Sequence, residues 1–308
     1  MRILQLVLMT VMLGLFSVPG AFAAPSFLVD AEGLEELMKD KKLVLLEVRY
    51  YPHRYYTIGH IPGAVQVQRF KDLGDNKSGS LMDFPSKAAF QKTLRSWGVN
   101  NDSKIVIYDD SSTALASRLY FLLELYGFDM SRVKILDGGT VGWTGFNDLS
   151  KEAKTIKPGL VELKDANKAM SVEWTVVYDK VVSRRDKSIV LLDARPHAHY
   201  TGEVKAHAVR AGHIPGAVNI VSLDGVEGES MTWKSKEELT ELYKSLPKDK
   251  TIIVYCHDGF RMSLAWLQLK WLGFKDVRLY NGGWGHWGNK FSLPVVKGSD
   301  VFDANFKL

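Results

Sequence analysis

The sequence predicts an α/β protein made of two similar domains, each a mostly parallel sheet flanked by helices on both faces. A length of 308 residues is typical of two domains rather than one. Short apolar runs alternate with segments of helical apolar spacing, which implies parallel strands covered on both sides. A seven-residue motif also occurs once in each half of the chain, which indicates an internal repeat.

The repeat defines the domain boundaries. Residues 59–65 and 212–218 share the sequence Gly-His-Ile-Pro-Gly-Ala-Val. In each half, an apolar run ending near an acid precedes the motif, a second apolar run follows it, and a Gly-Gly pair with a nearby tryptophan closes the half. Four landmarks in the same order indicate duplicated domains at 25–150 and 171–308, with a linker at 151–170.

The apolar spacing predicts the elements of each half in order. We expect strands at 44–46, 105–108 and 133–136 with a helix at 115–125, then strands at 189–192, 252–255 and 277–279 with a helix at 262–272. Ser235 followed by Glu238 predicts a capping box that opens another helix. The lysine-rich linker is expected to be a solvated surface, with one strand at 160–163.

The repeated motif itself has a structural interpretation. Proline restricts φ and glycine permits a turn, so the motif leads the chain into its next strand. We therefore expect His60 and His213 to be structural rather than catalytic. The Gly-Gly-Trp segments are interpreted as tight turns with a packed aromatic ring.

Composition excludes several classes of protein. Hydrophobic residues make up 46% and charged residues 24%, which excludes a disordered chain, a collagen-like repeat and a polytopic membrane protein. A net charge of +5 without a clustered basic face favours small anionic ligands over nucleic acid. The single cysteine excludes an intrachain disulfide and a thiolate-rich metal site. We expect no metal and no cofactor, and we attribute the nearness of four histidines to chance: His197, His199, His207 and His213.

The N-terminus has the pattern of an export signal. One basic residue, Arg2, precedes an apolar stretch at 3–18 and an Ala-Phe-Ala site at 21–23. The stretch is shorter than the roughly 20 residues that a membrane span needs, which disfavours an anchor helix. We expect a signal peptide at 1–23, cleaved near Ala23 or Ala24, and a periplasmic mature protein that does not bind membranes.

The two halves differ at the end of one aligned strand. The residue that follows it is Asp109 in the first half and Cys256 in the second. Open α/β sheets place their sites at this edge, and a tight loop leading into a helix directs several N–H groups at an anion. We therefore expect the pKa of Cys256 to lie below the usual value of about 8.5, giving a reactive thiolate. The alternative is a small, inert, buried side chain.

The segments that carry chemistry resemble a known family. They are Leu-Leu-Asp-Ala-Arg at 191–195, the repeated motif, the loop at 256–261 and the late Gly-Gly-Trp segment. Together they resemble the tandem-domain rhodanese family of sulfurtransferases, of the thiosulfate and 3-mercaptopyruvate types, over residues 25–296. The resemblance implies two rhodanese-like domains, of which the first is inactive because Asp109 stands in place of the cysteine.

The resemblance also implies an enzyme of the EC 2.8.1 class. Cys256 would take a sulfane sulfur from a small anionic donor such as thiosulfate, become a persulfide and pass the sulfur to cyanide, a thiol or a protein acceptor. Asp193 would support the loop structurally by pairing with Arg195. The expected substrate-binding residues are Arg261, His257, Asp258, Gly259, Phe260, Arg195 and His199.

Two features depart from the family pattern. His199 stands where thiosulfate enzymes have a second substrate-binding arginine. The loop at 256–261 matches neither the thiosulfate type nor the mercaptopyruvate type, and Asp258 would repel a dianion. The fold and the persulfide chemistry follow from the resemblance, whereas the identity of the donor does not.

Two other functions remain open from the sequence. A non-catalytic persulfide carrier or interaction protein would use the same cysteine without turnover. Cysteine phosphatases use Cys-x5-Arg, whereas the spacing from Cys256 to Arg261 is Cys-x4-Arg, a smaller ring that suits one sulfur atom better than a phosphate. For Trp233 and Phe260 the sequence leaves two roles open on at least equal terms, packing in the core or on the surface and lining the mouth of the pocket.

Overall fold

Two five-stranded sheets form the framework, one in each half of the chain. The computed structural model describes residues 25–75 and 82–302, so the expected signal peptide lies outside the described residues. All strand pairings within the two sheets are parallel. The α/β class predicted from the alternating pattern is confirmed.

The first domain has the strand order β1-β5-β4-β2-β3. Its strands are β1 Leu28–Val29, β2 Leu43–Arg49, β3 Val65–Gln68, β4 Lys104–Asp109 and β5 Val133–Leu136. Its helices are α1 Ala31–Leu37, α2 Arg54–Thr57, α3 Arg69–Asp72, α4 Lys87–Ser96, α5 Ala114–Leu125 and α6 Gly139–Thr144, with a 3-10 turn at Met130–Arg132.

The second domain repeats this topology in the order β6-β10-β9-β7-β8. Its strands are β6 Ser171–Val172, β7 Ile189–Asp193, β8 Ala217–Asn219, β9 Thr251–Tyr255 and β10 Val277–Tyr280. Its helices are α7 Trp174–Val176, α8 His197–Thr201, α9 Lys236–Leu242, α10 Phe260–Trp271 and α11 Gly283–Trp287, with a π-helical segment at Val177–Ser183 and 3-10 turns at Lys168–Met170 and Ser222–Gly225.

The linker differs from its prediction. No strand forms at 160–163, but the segment packs along the first domain. The amide of Gly159 donates to the carbonyl of Arg95, and the amide of Val161 donates to the carbonyl of Val99. Val161 and Leu163 are buried, so only part of the linker is the solvated surface that its lysines suggested.

The repeated histidines have the structural role that the sequence predicts. His60 stacks on Tyr55 with ring centroids 3.7 Å apart, and His213 stacks on Tyr200 at the same distance. Both rings are fully buried, and each also contacts backbone carbonyls through its two nitrogens. Each histidine therefore ties its motif to the domain around it.

One hydrophobic cluster extends across both domains, and each domain also has a separate cluster of its own. Helices α5 and α10 pack together, and the rings of Phe121 and Trp266 meet edge to face at 4.9 Å. Both helices are buried along most of their length, because each packs on its own sheet and on the helix of the other domain. Within the described residues, no helix is long and apolar enough to cross a membrane.

Candidate active site

Cys256 follows directly after β9, at the carboxyl edge of the second sheet. The chain then turns over three residues and enters α10 at Phe260, with Gly259 as the N-cap at a φ of 100°. The amide of Gly259 donates to the Sγ of Cys256 at 3.1 Å. The turn therefore directs main-chain N–H groups at the sulfur, as the sequence predicts.

Helix α11 holds the other side of this loop. The amide of Trp284 donates to the carbonyl of Cys256 at 2.8 Å, and the amide of Gly285 donates to the carbonyl of His257 at 3.0 Å. Gly283 has a φ of 52°, and a Cβ there would lie 2.5 Å from the Cys256 carbonyl oxygen. The Gly-Gly-Trp segment is therefore a short helix that supports the loop, and only glycine fits at its start.

The prediction that the thiol of Cys256 has a lowered pKa is wrong. Cys256 is fully buried, and burial raises the pKa of its thiol, with Asp258 acting in the same direction. The amides of Met262 and Gly259 and the charge of Arg261 oppose this rise without reversing it. Sequence reasoning counted the main-chain dipoles but not the loss of hydration, which disfavours the charged form of a buried acid.

The first domain has the equivalent loop, one residue longer, with an anion already in place. The carboxylate of Asp109, equivalent to Cys256, accepts hydrogen bonds of 2.8 to 3.0 Å from four backbone amides: Ser111, Thr113, Leu115 and Ala116. Burial raises the pKa of Asp109 to about 6, and several of those amides oppose the rise. Its oxygens lie one bond beyond Cγ, as the outer sulfur of a persulfide lies one bond beyond Sγ. The inactive loop is therefore filled by its own side chain.

A cavity of about 910 Å³ opens between the two domains beside the loop. Its volume is at the upper end of the usual range for small-molecule sites. From the second domain, it is lined by residues of the loop and the start of α10, of α8 and the segment after it, and by Leu223: His257, Asp258, Phe260, Arg261, His199, Val204, Lys205, Ala206, His207 and Leu223. The loop residues are therefore the wall that separates the buried sulfur from the cavity.

The first domain completes the cavity with residues that sequence reasoning missed. Tyr50, Arg69 and Phe70 line it together with the loop at 111–115. The guanidinium of Arg69 lies 3.6 Å from the centroid of the Tyr50 ring and 4.1 Å from that of Phe70. These residues follow β2 and β3 of a domain that lacks the cysteine. Their position just after strands at the carboxyl edge was the signal that could have found them.

The charges around the cavity are mainly positive. Arg69, Lys205 and Arg261 line it, against the single carboxylate of Asp258. This balance favours an anionic ligand, although Asp258, which belongs to the loop itself, opposes part of that attraction. The expectation of an anionic substrate therefore has a physical basis on both sides of the domain boundary.

Two histidines contribute neutral polar groups. His257 is buried, and neither ring nitrogen has a hydrogen-bond partner within the described part of the chain. Burial lowers the pKa of His257 despite the opposing charge of Asp258, and burial also lowers the pKa of His199. Both imidazoles are therefore neutral near pH 7 and can exchange hydrogen bonds with a ligand.

Arg195 does not line the cavity, which corrects its assignment to substrate binding. It is fully buried and binds the carboxylate of Asp193 through Nε and Nη2, while Nη2 also donates to the carbonyl of Gly212 at 2.8 Å. Its guanidinium lies 4.5 Å from the centroid of the Trp284 ring. Arg195 and Asp193 therefore form a support that joins the repeated motif to α11.

Trp233 has the packing role that the sequence left open. Its ring packs 5.3 Å from Phe27 and 6.0 Å from Trp271, and its amide donates to the carboxylate of Asp137. Of the two aromatic residues proposed for the pocket mouth, only Phe260 lines the cavity. Trp233 instead helps to join the two domains.

These features define a class of protein: a two-domain parallel α/β protein in which one loop cradles a lone cysteine and its counterpart cradles an aspartate. Residues 30–145 and 178–290 both match the family described as Rhodanese-like domain. The chain therefore belongs to the rhodanese family, as the sequence motifs predicted.

Curated relatives match nearly the whole chain. A sulfur carrier protein, TtuD, of Thermus thermophilus is 32% identical over 91% of this chain and 99% of the relative. A 3-mercaptopyruvate sulfurtransferase of Escherichia coli is 31% identical over 88% of this chain and 98% of the relative. A thiosulfate sulfurtransferase of Corynebacterium glutamicum is 31% identical over 91% of this chain and 93% of the relative.

Solved structures show the same fold. The anaerobic ergothioneine biosynthesis enzyme of Chlorobium limicola, in complex with trimethyl histidine, aligns with a TM-score of 0.77 at 23% identity. The alignment covers 89% of this chain and 70% of that protein. At this identity the likeness concerns the fold alone.

Proposed function

We propose that this protein is a sulfurtransferase that carries a sulfane sulfur on Cys256 between an anionic donor and a thiophilic acceptor. The observation that carries the proposal is the Cys256 sulfur at the end of β9 with the Gly259 amide directed at it. Membership of the rhodanese family and the sulfurtransferase names of its relatives support the same reaction class.

With thiosulfate as donor, the reaction has two steps. The Cys256 thiolate attacks the outer sulfur of thiosulfate, the sulfur–sulfur bond of the donor breaks, and sulfite leaves with the electron pair. Cyanide then attacks the outer sulfur of the persulfide, thiocyanate leaves, and the thiolate is restored. A thiolate acceptor instead leaves as its own persulfide. Charge and sulfur balance in both steps.

The loop stabilises the charged intermediate. A persulfide extends one bond beyond Sγ, toward the region that the carboxylate of Asp109 occupies in the first domain. There four amides surround the anion, and the turn in the second domain has the same origin at a strand end and the same exit into a helix. Donors already oriented toward a developing anion stabilise it without reorganisation.

The donor must approach from the cavity. Arg261 and Arg69 provide positive charge on opposite domains, and the neutral His257 can bind or relay a proton at the loop. Because Cys256 is fully buried behind the loop residues that line the cavity, their side chains must move aside before a donor can reach the sulfur. The cavity is much larger than thiosulfate needs, so an organic donor or acceptor is also accommodated.

Intact-mass measurement tests the proposal. The protein is incubated separately with thiosulfate, 3-mercaptopyruvate and polysulfide, then treated with cyanide. We expect the mass to rise by one sulfur atom with at least one donor and to return after cyanide, because the intermediate is covalent. The Cys256→Ser variant should not change in mass, since Cys256 is the only cysteine.

The outcomes separate the candidate functions. No adduct with any donor would refute the sulfurtransferase proposal. An adduct that forms, without continued turnover to thiocyanate when donor and cyanide are supplied together, would assign a carrier instead. That outcome has a parallel in the name of one relative, a sulfur carrier protein.

We also propose that the protein is exported to the periplasm. The basic residue Arg2, the apolar stretch at 3–18 and the Ala-Phe-Ala site at 21–23 support this proposal. The same mass measurement, made on protein recovered from the expressing bacterium, reads the N-terminus. A chain that retains residues 1–23 would refute cleavage near Ala23 or Ala24.

A further inference from the structure

Arg118 is a buried arginine of the first domain that lies against the catalytic loop of the second. It belongs to α5 and is fully buried. A Cβ placed on Gly259 would lie 3.0 Å from its Nη1 and 3.1 Å from its Cζ. The guanidinium therefore packs against the Gly259 main chain, next to the amide that donates to Cys256.

The hydrogen bonds of Arg118 leave part of the guanidinium unpaired. Its Nη2 donates to the carbonyl of Met82 at 2.7 Å and to the Oδ1 of Asn281 at 3.4 Å. Its Nε and Nη1 are buried, and neither has a hydrogen-bond partner within residues 25–75 and 82–302. Burying N–H groups of a cation without partners is costly, so the folded protein retains them here against a free-energy penalty.

The charges that act on Arg118 include that of the reactive sulfur. Burial lowers the pKa of Arg118 to about 10, so it remains cationic at neutral pH, and the charges that oppose this fall are those of Cys256, Asp258, Asp83 and Tyr126, in that order. Asp83 also accepts a hydrogen bond from the Nδ2 of Asn281. On the loop itself, Asp258 and Arg261 are the charges that act on Cys256.

We propose that Arg118 is a cross-domain positioning residue, whose charge stabilises the anionic thiolate and persulfide of Cys256 through the Gly259 turn. The domain without a nucleophile thereby supplies part of the electrostatics of the domain that has one. The inference rests on the proposed function for the persulfide, whereas its effect on the thiolate can be measured without any sulfur donor.

The unpaired Nε and Nη1 favour an electrostatic role for Arg118 over a purely structural one. An arginine that only joined the domains would have all of its N–H groups paired with neutral acceptors, as Nη2 is with Met82 and Asn281. A delocalised cation held against the loop instead attracts any negative charge on Cys256, and in a buried setting this attraction is weakly screened. Gly259 is required for the approach, because its φ of 100° and the guanidinium both exclude a side chain.

Alkylation of Cys256 by iodoacetamide across a range of pH tests the proposal. The pH midpoint of the rate reports the thiol pKa, and Cys256 is the only cysteine that can react. We expect Arg118→Gln to raise this midpoint by about one pH unit, because a nearby cation is removed. Arg118→Lys should raise it by a smaller amount, because a buried ammonium loses its proton more readily than a guanidinium.

A matched control separates electrostatics from damage to the fold. Leu123→Ala removes a fully buried side chain from the same helix without changing charge. It should lower the melting temperature and leave the alkylation midpoint unchanged. Any folded Arg118 variant with the wild-type midpoint would overturn the proposal, and Arg118→Lys decides the matter if Arg118→Gln does not fold.

A persulfide measurement then distinguishes this inference from the proposed function. Failure of every donor to load wild-type protein, together with a raised midpoint in the Arg118 variants, would refute sulfur transfer but retain the cross-domain effect. Normal persulfide loading of the wild-type protein, together with an unshifted alkylation midpoint in the Arg118 variants, would retain sulfur transfer and refute the cross-domain effect.

Discussion

Asp109 and Cys256 occupy equivalent positions at the ends of equivalent strands in the two domains. The chemistry of these two side chains distinguishes one domain from the other. The carboxylate of Asp109 satisfies four amides by itself and leaves no room for a ligand. The shorter Cys256 side chain accepts from Gly259 and ends one atom earlier than the carboxylate of Asp109. The residue at this position, together with the loop around it, therefore distinguishes an anion site filled by the protein from one that can accept a substrate atom.

The raised thiol pKa predicts a strong pH dependence for Cys256. At neutral pH most molecules carry the thiol, because burial disfavours the thiolate. We expect the rate of iodoacetamide modification of the native protein to rise about tenfold per pH unit between about pH 6 and 8. The Cys256→Ser variant provides the blank, and a rate that is already constant over this interval would show that the thiolate forms at lower pH.

At the scale of elements, local sequence signals predicted the helices and the loop origin well. The expected helices at 115–125 and 262–272 are observed as Ala114–Leu125 and Phe260–Trp271. The second helix begins earlier because Gly259 adopts a positive φ and allows the chain to turn directly into it. The prediction of a linker strand at 160–163 was wrong, because that segment makes its hydrogen bonds to helix ends and loops of the first domain rather than to a sheet.

The capping box on α9 is a local signal whose free-energy contribution can be measured. Ser235 accepts from the amide of Glu238 at 3.2 Å, and the Glu238 carboxylate accepts from the amide of Ser235 at 2.9 Å. We expect Ser235→Ala to lower the free energy of unfolding by about 1 kcal/mol, because the amide of Glu238 in the first turn loses its partner. Urea denaturation measures this change.

Thr240 provides the control on the same helix. Its hydroxyl donates to the carbonyl of Lys236 within the helix and caps nothing. Thr240→Ala should leave the stability unchanged or slightly increased, because alanine has the higher helix propensity. Equal losses in the two variants would argue against the capping contribution of Ser235.

At the scale of the whole molecule, the two domains are one structural unit. A single apolar cluster includes residues of both, and polar contacts such as those of Trp233 with Asp137 and of Asn281 with Asp83 cross the boundary. The cavity lies at this boundary, so its shape depends on how the domains pack. The first domain is therefore needed for the site even though it has no nucleophile.

The shared core predicts cooperative unfolding. Phe121→Ala removes a fully buried ring from the contact between α5 and α10 and should cost about 3–5 kcal/mol. We expect wild type and variant each to unfold in urea in one transition, with tryptophan fluorescence and far-UV circular dichroism coinciding. Phe146→Ala is the control, because Phe146 is 87% exposed and its loss should change little. Two separate transitions would contradict a shared core.

The sequence alone determined the α/β class, the duplicated domains, two long helices to within two residues at each end, and the position of Cys256 after a strand. These depend on local propensity, apolar period and repetition, all of which are readable along one chain. It did not determine the burial of Cys256 or the supporting role of Arg195. Nor did it place Tyr50 and Arg69 at the cavity or Arg118 against Gly259. Only the tertiary structure decided these, because hydration and cross-domain charge depend on residues far apart in the chain that packing brings together.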